Sequence, residues 1–354
     1  MHRRTFLRTG TALAGGTALT GCLESLGFRT QSAWRDPPIV ENRPDAVYYP
    51  AYMEGMEMYG MAEGGEFCFA LMYSYPHRFW NVAGRSSNKV VVQSDDSLHL
   101  MLSLWDAKTN TVVPADMQLT ITKGEETVDD RAPWPMLSQT MGFHYGDNVT
   151  LDGDGSYTAT IEVGSIGARR TGEYASRLED GASATIDFDF DTEQVYDVEY
   201  RETGDKQGSR DALEPMMEDV PAGRAPGPRE LPGTVLGTES SGDADFVATI
   251  IEPSNRFTDG NKPYLAVSPR TPYNRIVLPR MSLSAKLVRN EKTVSKASLT
   301  SALDPKLDNH YGTAVEDIQS GDTLRLTVDS PPQVARHDGY ETAFMGMAPM
   351  EFTV

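Results

Sequence analysis

Two short segments of this 354-residue chain carry the same chemistry-bearing triplet. "GFHYGDN" at 142–148 and "NHYGTAV" at 309–315 each set a histidine before Tyr-Gly. With six histidines in the whole chain, placing His144 and His310 in one repeated pattern points either to a metal-ligating imidazole or to a turn whose ring bonds the backbone. Methionines raise the same question: Met53, Met56, Met58 and Met61 lie close together, Met141 stands between Met136 and His144, and Met345, Met347 and Met350 close the chain. Thioether with imidazole suits Cu(I) and other soft or borderline ions, whereas imidazole with carboxylate suits Fe(II) or Mn(II). Methionine is also adaptable core filler, and both readings stand. Cys68, on an alternating segment, reads first as a small buried hydrophobe. His77, in "YPHRFW", and His99 read as surface or interface residues, and Asn148-Val149-Thr150 is an N-glycosylation sequon. There is no Gly-rich phosphate loop, G-x-S-x-G elbow, H-E-x-x-H pair or zinc-ribbon cysteine pair, so the expectation is a binding protein rather than an enzyme.

These residues need elements to hold them, and the sequence alternates. "ATIDFDFD" turns Ile186, Phe188 and Phe190 one way and Asp187, Asp189 and Asp191 the other; "LHLMLSLWD" sets Leu98, Leu100, Leu102 and Leu104 against His99, Met101, Ser103 and Trp105. This two-residue period belongs to half-buried antiparallel strands. The fold class expected is all-β, two tandem β-sandwiches. A first sandwich over 46–200 is followed by a Pro-, Gly- and Ser-rich linker over 201–242 and a second sandwich, a degenerate repeat, over 243–354. Matching His144 to His310 also matches Gly155 to Gly321; with one inserted residue "ARRTGEY" falls on "ARHDGYE", pairing Arg170 with His337.

The N-terminus supplies an address. Arg3-Arg4 before Phe6-Leu7 is a twin-arginine export pattern, and Leu19-Thr20-Gly21-Cys22 is a lipoprotein cleavage site, so residues 1–21 read as a signal peptide, Cys22 as the lipid attachment point and 22–45 as a tether. The protein is expected on the outer face of the cytoplasmic membrane, held to the membrane surface by lipid. With Cys22 modified, Cys68 has no intramolecular disulfide partner. The chain carries 51 acidic against 32 basic residues, a formal net charge of −19. Such a field disfavours nucleic acid as a partner and attracts cations, and its dispersion resembles a halophilic surface.

The stretches "YMEGMEMYGMAEGGEFCFALMY", "PMLSQTMGFHYGDNVTLDGDGSYTATIEV" and "DSPPQVARHDGYETAF" resemble the periplasmic iron-transport accessory proteins, the ferrous-iron transport lipoprotein family, over most of 46–195 and more loosely over 243–354. The resemblance implies immunoglobulin-like β-sandwiches that bind an iron or copper ion and assist a membrane iron permease, usually as a dimer. It carries the family's metal ligands onto Met136 and His144, sets Cys68 where the family has the first residue of a His-x-Glu pair, and leaves the closing histidine only as His337, with His310 the second-repeat counterpart of His144. Met136 would then correspond to a position near Ala302. The two repeats may be read as a covalent pseudo-dimer with ligands divided between them; the competing reading is a non-metal surface interaction module on a degenerate form of the same fold.

Overall fold

The computed structural model describes residues 37–253, 256–258 and 262–354; the expected signal peptide and Cys22 lie outside them. In chain order the first-half strands are β1 (Tyr52–Glu54), β2 (Glu57–Gly64), β3 (Phe67–Ser74), β4 (Phe79–Ala83), β5 (Ser86–Val90), β6 (Leu98–Asp106) and β7 (Met117–Lys123). Then come β8 (Glu126–Arg131), β9 (Trp134–Ser138), β10 (Gly142–Val149), β11 (Gly155–Val163), β12 (Arg169–Arg170), β13 (Ala182–Phe190), the short helix α1 (Thr192–Asp197) and β14 (Tyr200–Glu202). The second half holds β15 (Thr234–Ser241), β16 (Ala244–Ile251), β17 (Tyr264–Arg270), β18 (Ser282–Arg289) and β19 (Lys292–Asp304). It ends with β20 (Asp308–Ala314), β21 (Thr323–Ser330), β22 (Ala335–Arg336) and β23 (Met350–Thr353). The all-β, sandwich-like architecture expected from the alternation is the one observed.

An eight-stranded sheet, ordered β2-β3-β6-β10-β9-β22-β4-β5, faces a four-stranded sheet, β13-β11-β7-β8. Their inward side chains meet in one apolar cluster that joins Phe69, Leu71, Leu100, Leu102 and Phe143 to Leu119, Ile121, Ile161, Ile186 and Phe188. The outer face of β13 keeps Asp187 in solvent, where it accepts from Thr158 Oγ1 at 2.7 Å. The second half forms a sheet ordered β15-β16-β17-β20-β19-β18-β21-β23. Within the stretch read as linker, Thr234–Ser241 is the edge strand β15, paired antiparallel with β16.

The halves exchange strands. β22 lies parallel to β9, with Ala335 opposite Met136 and Arg336 opposite Leu137, and antiparallel to β4. Reciprocally, β12 lies parallel to β19, with Arg169 opposite Ala302 and Arg170 opposite Leu303. The backbone N–H of His337 donates to Leu137 O at 3.1 Å and that of Thr171 to Leu303 O at 3.0 Å. One spacing relates the two exchanges, since adding 166 to 136, 137, 169 and 171 gives 302, 303, 335 and 337. Strand pairing therefore matches His337 to Thr171, not to Arg170 as the inserted-residue alignment had it.

The exchange also changes what β6 faces. Its alternation marks a strand buried on one side, yet all nine residues are buried. The second face is covered by the rings of His77 and His337 over His99, and by Met217 and Val220 beside Met101 and Trp105.

Candidate metal centre

His144 sits on β10 directly opposite Met136 on β9. Its direction is set by its neighbour. The Tyr145 hydroxyl accepts from Ala115 N and donates to Ala115 O, both at 2.7 Å. With Tyr145 locked into the sandwich core, alternation turns His144, Gly146 and Asn148 to the opposite face. Gly146 completes the arrangement by what it lacks: a β-carbon there would lie 3.0 Å from His99 Nε2 and 3.1 Å from Met136 Sδ. The glycine of the triplet leaves room for two potential ligand atoms.

Three more imidazoles converge on this point. His99, on β6, is opposite Asn148. His77 follows β3, and His337 arrives from the second half just after β22. His77, His99 and His337 each offer a ring nitrogen within 4.8 Å of the others. Ring centroids of His77 and His99 are 4.0 Å apart, and those of His144 and His337 5.3 Å apart. His77 Nε2 and His337 Nδ1 are 3.2 Å apart.

Hydrogen bonds fix which nitrogens carry protons. His144 Nδ1 donates to Gly142 O at 3.1 Å. His77 Nδ1 faces Tyr75 O at 3.0 Å and Glu54 Oε2 at 2.9 Å. His99 Nδ1 donates to Asn148 Oδ1 at 2.9 Å, because the Asn148 amide nitrogen is itself committed to His77 O at 2.9 Å. Carbonyl and carboxylate oxygens only accept, so these three Nδ1 atoms are protonated and the Nε2 lone pairs point inward. Nδ1 held by a carbonyl or carboxylate is the arrangement that orients a metal-binding imidazole. The Nε2 atoms of His99, His144 and His337 are buried without a hydrogen-bond partner. Buried polar atoms are rarely left so.

Burial sets the electrostatics. Loss of solvent pushes His144 down to about 4, and lowers His99 and His337 well below the ordinary imidazole range, with the neighbouring imidazoles adding to the effect. The rings of His99, His144 and His337 are therefore neutral at pH 7, the form that ligates. A cavity of about 50 Å³ is lined by His77 and His337 together with Tyr52, Glu54, Arg78 and Asp338. Asp338 accepts from Tyr52 at 2.8 Å and pairs with Arg78 at 3.1 Å. Four imidazoles and one thioether, with carboxylates in the cavity lining, form a donor set for borderline divalent ions or for Cu(I).

Of the residues singled out from the sequence, Met136, His144 and His337 meet here. Cys68 does not. It lies six residues along β3 from Ser74, the residue opposite His99, a separation of about 20 Å at the rise of a strand, and it packs with methionines and Trp105 instead. His310 lies in the corresponding place of the second half, opposite Ala302, and its Nδ1 donates to Asp308 O at 3.0 Å. Its Nε2, however, accepts from the Tyr264 hydroxyl at 3.1 Å, and that hydroxyl fills the space over Gly312. Tyr264 pairs with Ala314 as His99 pairs with Asn148, so a phenol stands where the first half has an imidazole. His77 and His99, read from the sequence as surface or interface residues, are 2% and 0% exposed. The available signal for His99 was its place on a leucine-alternating strand with a polar partner, Asn148. Asn148 is itself buried and fully engaged, which removes it as a glycosylation acceptor.

Residues 111–202, which contain Met136 and His144, match the family model of the Fe2+ transport protein. Residues 229–353 match a domain of unknown function, DUF7350. Among solved structures, a copper-bound variant of FetP from uropathogenic Escherichia coli is 16% identical and aligns over 38% of this chain and 92% of its own, with a TM-score of 0.30. FetP from the same source in its "as isolated" form is 17% identical over 39% of this chain and 95% of its own, with a TM-score of 0.28. No curated protein sequence is similar to the chain.

Proposed function

We propose that this chain, whose residues 111–202 form an Fe2+ transport protein domain, captures an iron or copper ion at the extracytoplasmic membrane surface and hands it to a membrane iron permease. One observation carries the reading: the buried, unpartnered Nε2 atoms of His99, His144 and His337 beside His77 and Met136. The ion is cargo. The acidic surface raises the local concentration of cations, the carboxylates of Glu54 and Asp338 receive the ion in the cavity, and the imidazoles exchange for its remaining waters. His337 comes from the second half, so the centre is shared by a covalent pseudo-dimer, and the two halves are best read as a tandem form of the family's sandwich. The twin-arginine signal and the lipid on Cys22 would deliver and tether it.

The test is titration of the purified protein with Fe(II), Mn(II), Cu(II) and Cu(I), beside His144→Ala and His337→Ala variants. Loss of Fe(II), Mn(II) and Cu(II) binding in both variants, with nitrogen superhyperfine splitting in the Cu(II) spectrum of the wild type, is the expected result. Binding equal to wild type in both variants, or none in the wild type, would reject the centre and leave the interaction-module reading.

A further inference from the structure

The face of the eight-stranded sheet that bears the histidines also bears a row of thioethers. Met58 on β2 is opposite Met72 on β3, Met72 is opposite Met101 on β6, and Met101 is opposite Gly146 on β10. Directly opposed residues hold their β-carbons about 5 Å apart, so these side chains are immediate neighbours. Met72 and Met101 are buried, Met58 is half-buried, and all belong to a cluster that Met141 and the half-buried Met56 and Cys68 also join. The row therefore runs from the sheet's edge to the glycine against whose bare α-carbon His99 Nε2 and Met136 Sδ pack.

The composition differs between the two faces of these strands. The other face of the same strands is filled by leucine and aromatic side chains: Phe69 and Leu71 on β3, Leu100 and Leu102 on β6. The second half supplies an internal comparison. There the same row, paired in the same way and ending at Gly312, reads Val235, Thr249 and Ala266. Where the histidine is sealed by tyrosine, the row is free of sulfur; where the imidazoles converge, it is thioether throughout.

We propose that Met58, Met72 and Met101 form a second metal site, selective for Cu(I), adjoining the histidine centre. Neutral thioethers bind soft monovalent copper and offer little to Fe(II) or Mn(II). Met58 gives the ion its approach from solvent, and the close approach that Gly146 allows places the inner end of the row against the imidazoles. The site itself stands on the methionine geometry; only its role as a neighbour of the cargo centre rests on the preceding proposal.

Anaerobic Cu(I) titration of the full chain against a chromogenic chelator tests it, with X-ray absorption to count sulfur neighbours. A Met72→Leu/Met101→Leu double variant preserves volume and apolarity, and its melting temperature reports that it folds. The expected result is one Cu(I) ion beyond that removed by His144→Ala/His337→Ala, with the extra ion bound at least about tenfold more weakly, a change of about 1.4 kcal/mol, and with fewer sulfur neighbours, in the methionine variant. Unchanged stoichiometry, affinity and sulfur count in a folded methionine variant would overturn the proposal. So would a wild type that binds a single Cu(I) ion abolished by the histidine variant, an outcome that leaves the histidine centre standing. If instead the histidine variant retains all binding and the methionine variant loses it, the thioether site stands and the cargo centre fails.

Discussion

His144 faces Met136 across the β9–β10 ladder, and its counterpart His310 faces Ala302 across β19–β20. The two histidines have the same backbone setting, each donating from Nδ1 to a carbonyl two residues earlier. They differ in what meets Nε2: no hydrogen-bond partner in one, a tyrosine hydroxyl in the other. One backbone thus supports a candidate metal centre in the first half and a closed hydrogen-bonded core in the second.

Gly146→Ala tests whether the centre depends on the missing side chain. Its β-carbon would sit 3.0 Å from both His99 Nε2 and Leu100 O, so the ring or the strand must yield. We expect a stability loss of about 1–3 kcal/mol in urea unfolding and metal affinity reduced by at least about tenfold. Wild-type affinity in this variant would show that His99 does not ligate over Gly146.

Asn148→Leu removes the acceptor that orients His99 and the donor to His77 O. Loss of such an orienting partner lowers metal affinity by about 10–100-fold. Isothermal titration with Cu(II) or Mn(II) measures it, and a retained affinity would mean that packing alone holds the ring.

Acid should destabilise the metal-free protein through its buried imidazoles. His144 and His310 are each held down at about 4 by burial, below the ordinary 6.5. A depressed imidazole means that the unfolded chain binds the extra proton, so stability present above pH 6.5 is lost as pH falls toward 4, by about 3 kcal/mol for each ring. Asp308, raised to about 6 by burial, acts in the opposite sense, its contribution being lost as pH rises through 6. Urea midpoints across this window check the sum, and His310→Gln should flatten the slope.

Tyr264→Phe removes the donor to His310 Nε2 and leaves that nitrogen buried and unpaired. The expected cost is about 1–3 kcal/mol. Metal stoichiometry at the first-half centre should not change, and a change would show that the second half communicates with it.

Much of the framework was legible in the sequence because alternation is local. The period of two in "LHLMLSLWD" and "ATIDFDFD" dictates strands and their inward faces, and the spacing between the two His-Tyr-Gly triplets identifies β10 and β20 as counterparts. Met136 and His144 were linked in the sequence by the family resemblance, and the antiparallel β9–β10 ladder sets them directly opposite each other. Motif matching to the iron-transport family agreed with these readings over the first half.

The remaining ligands were decided by tertiary structure. His77 follows a strand end, His99 stands on a strand face whose covering lies elsewhere in the chain, and His337 reaches the centre only through the parallel insertion of β22 beside β9. A side chain's direction is set by its own strand, whereas burial depends on what packs over it, and for His99 that is His77 together with His337 from the far end of the chain. The same long-range packing withdrew Cys68 from the centre and closed His310 behind Tyr264, because ligand convergence is a property of three-dimensional neighbours and a sequence orders only one dimension.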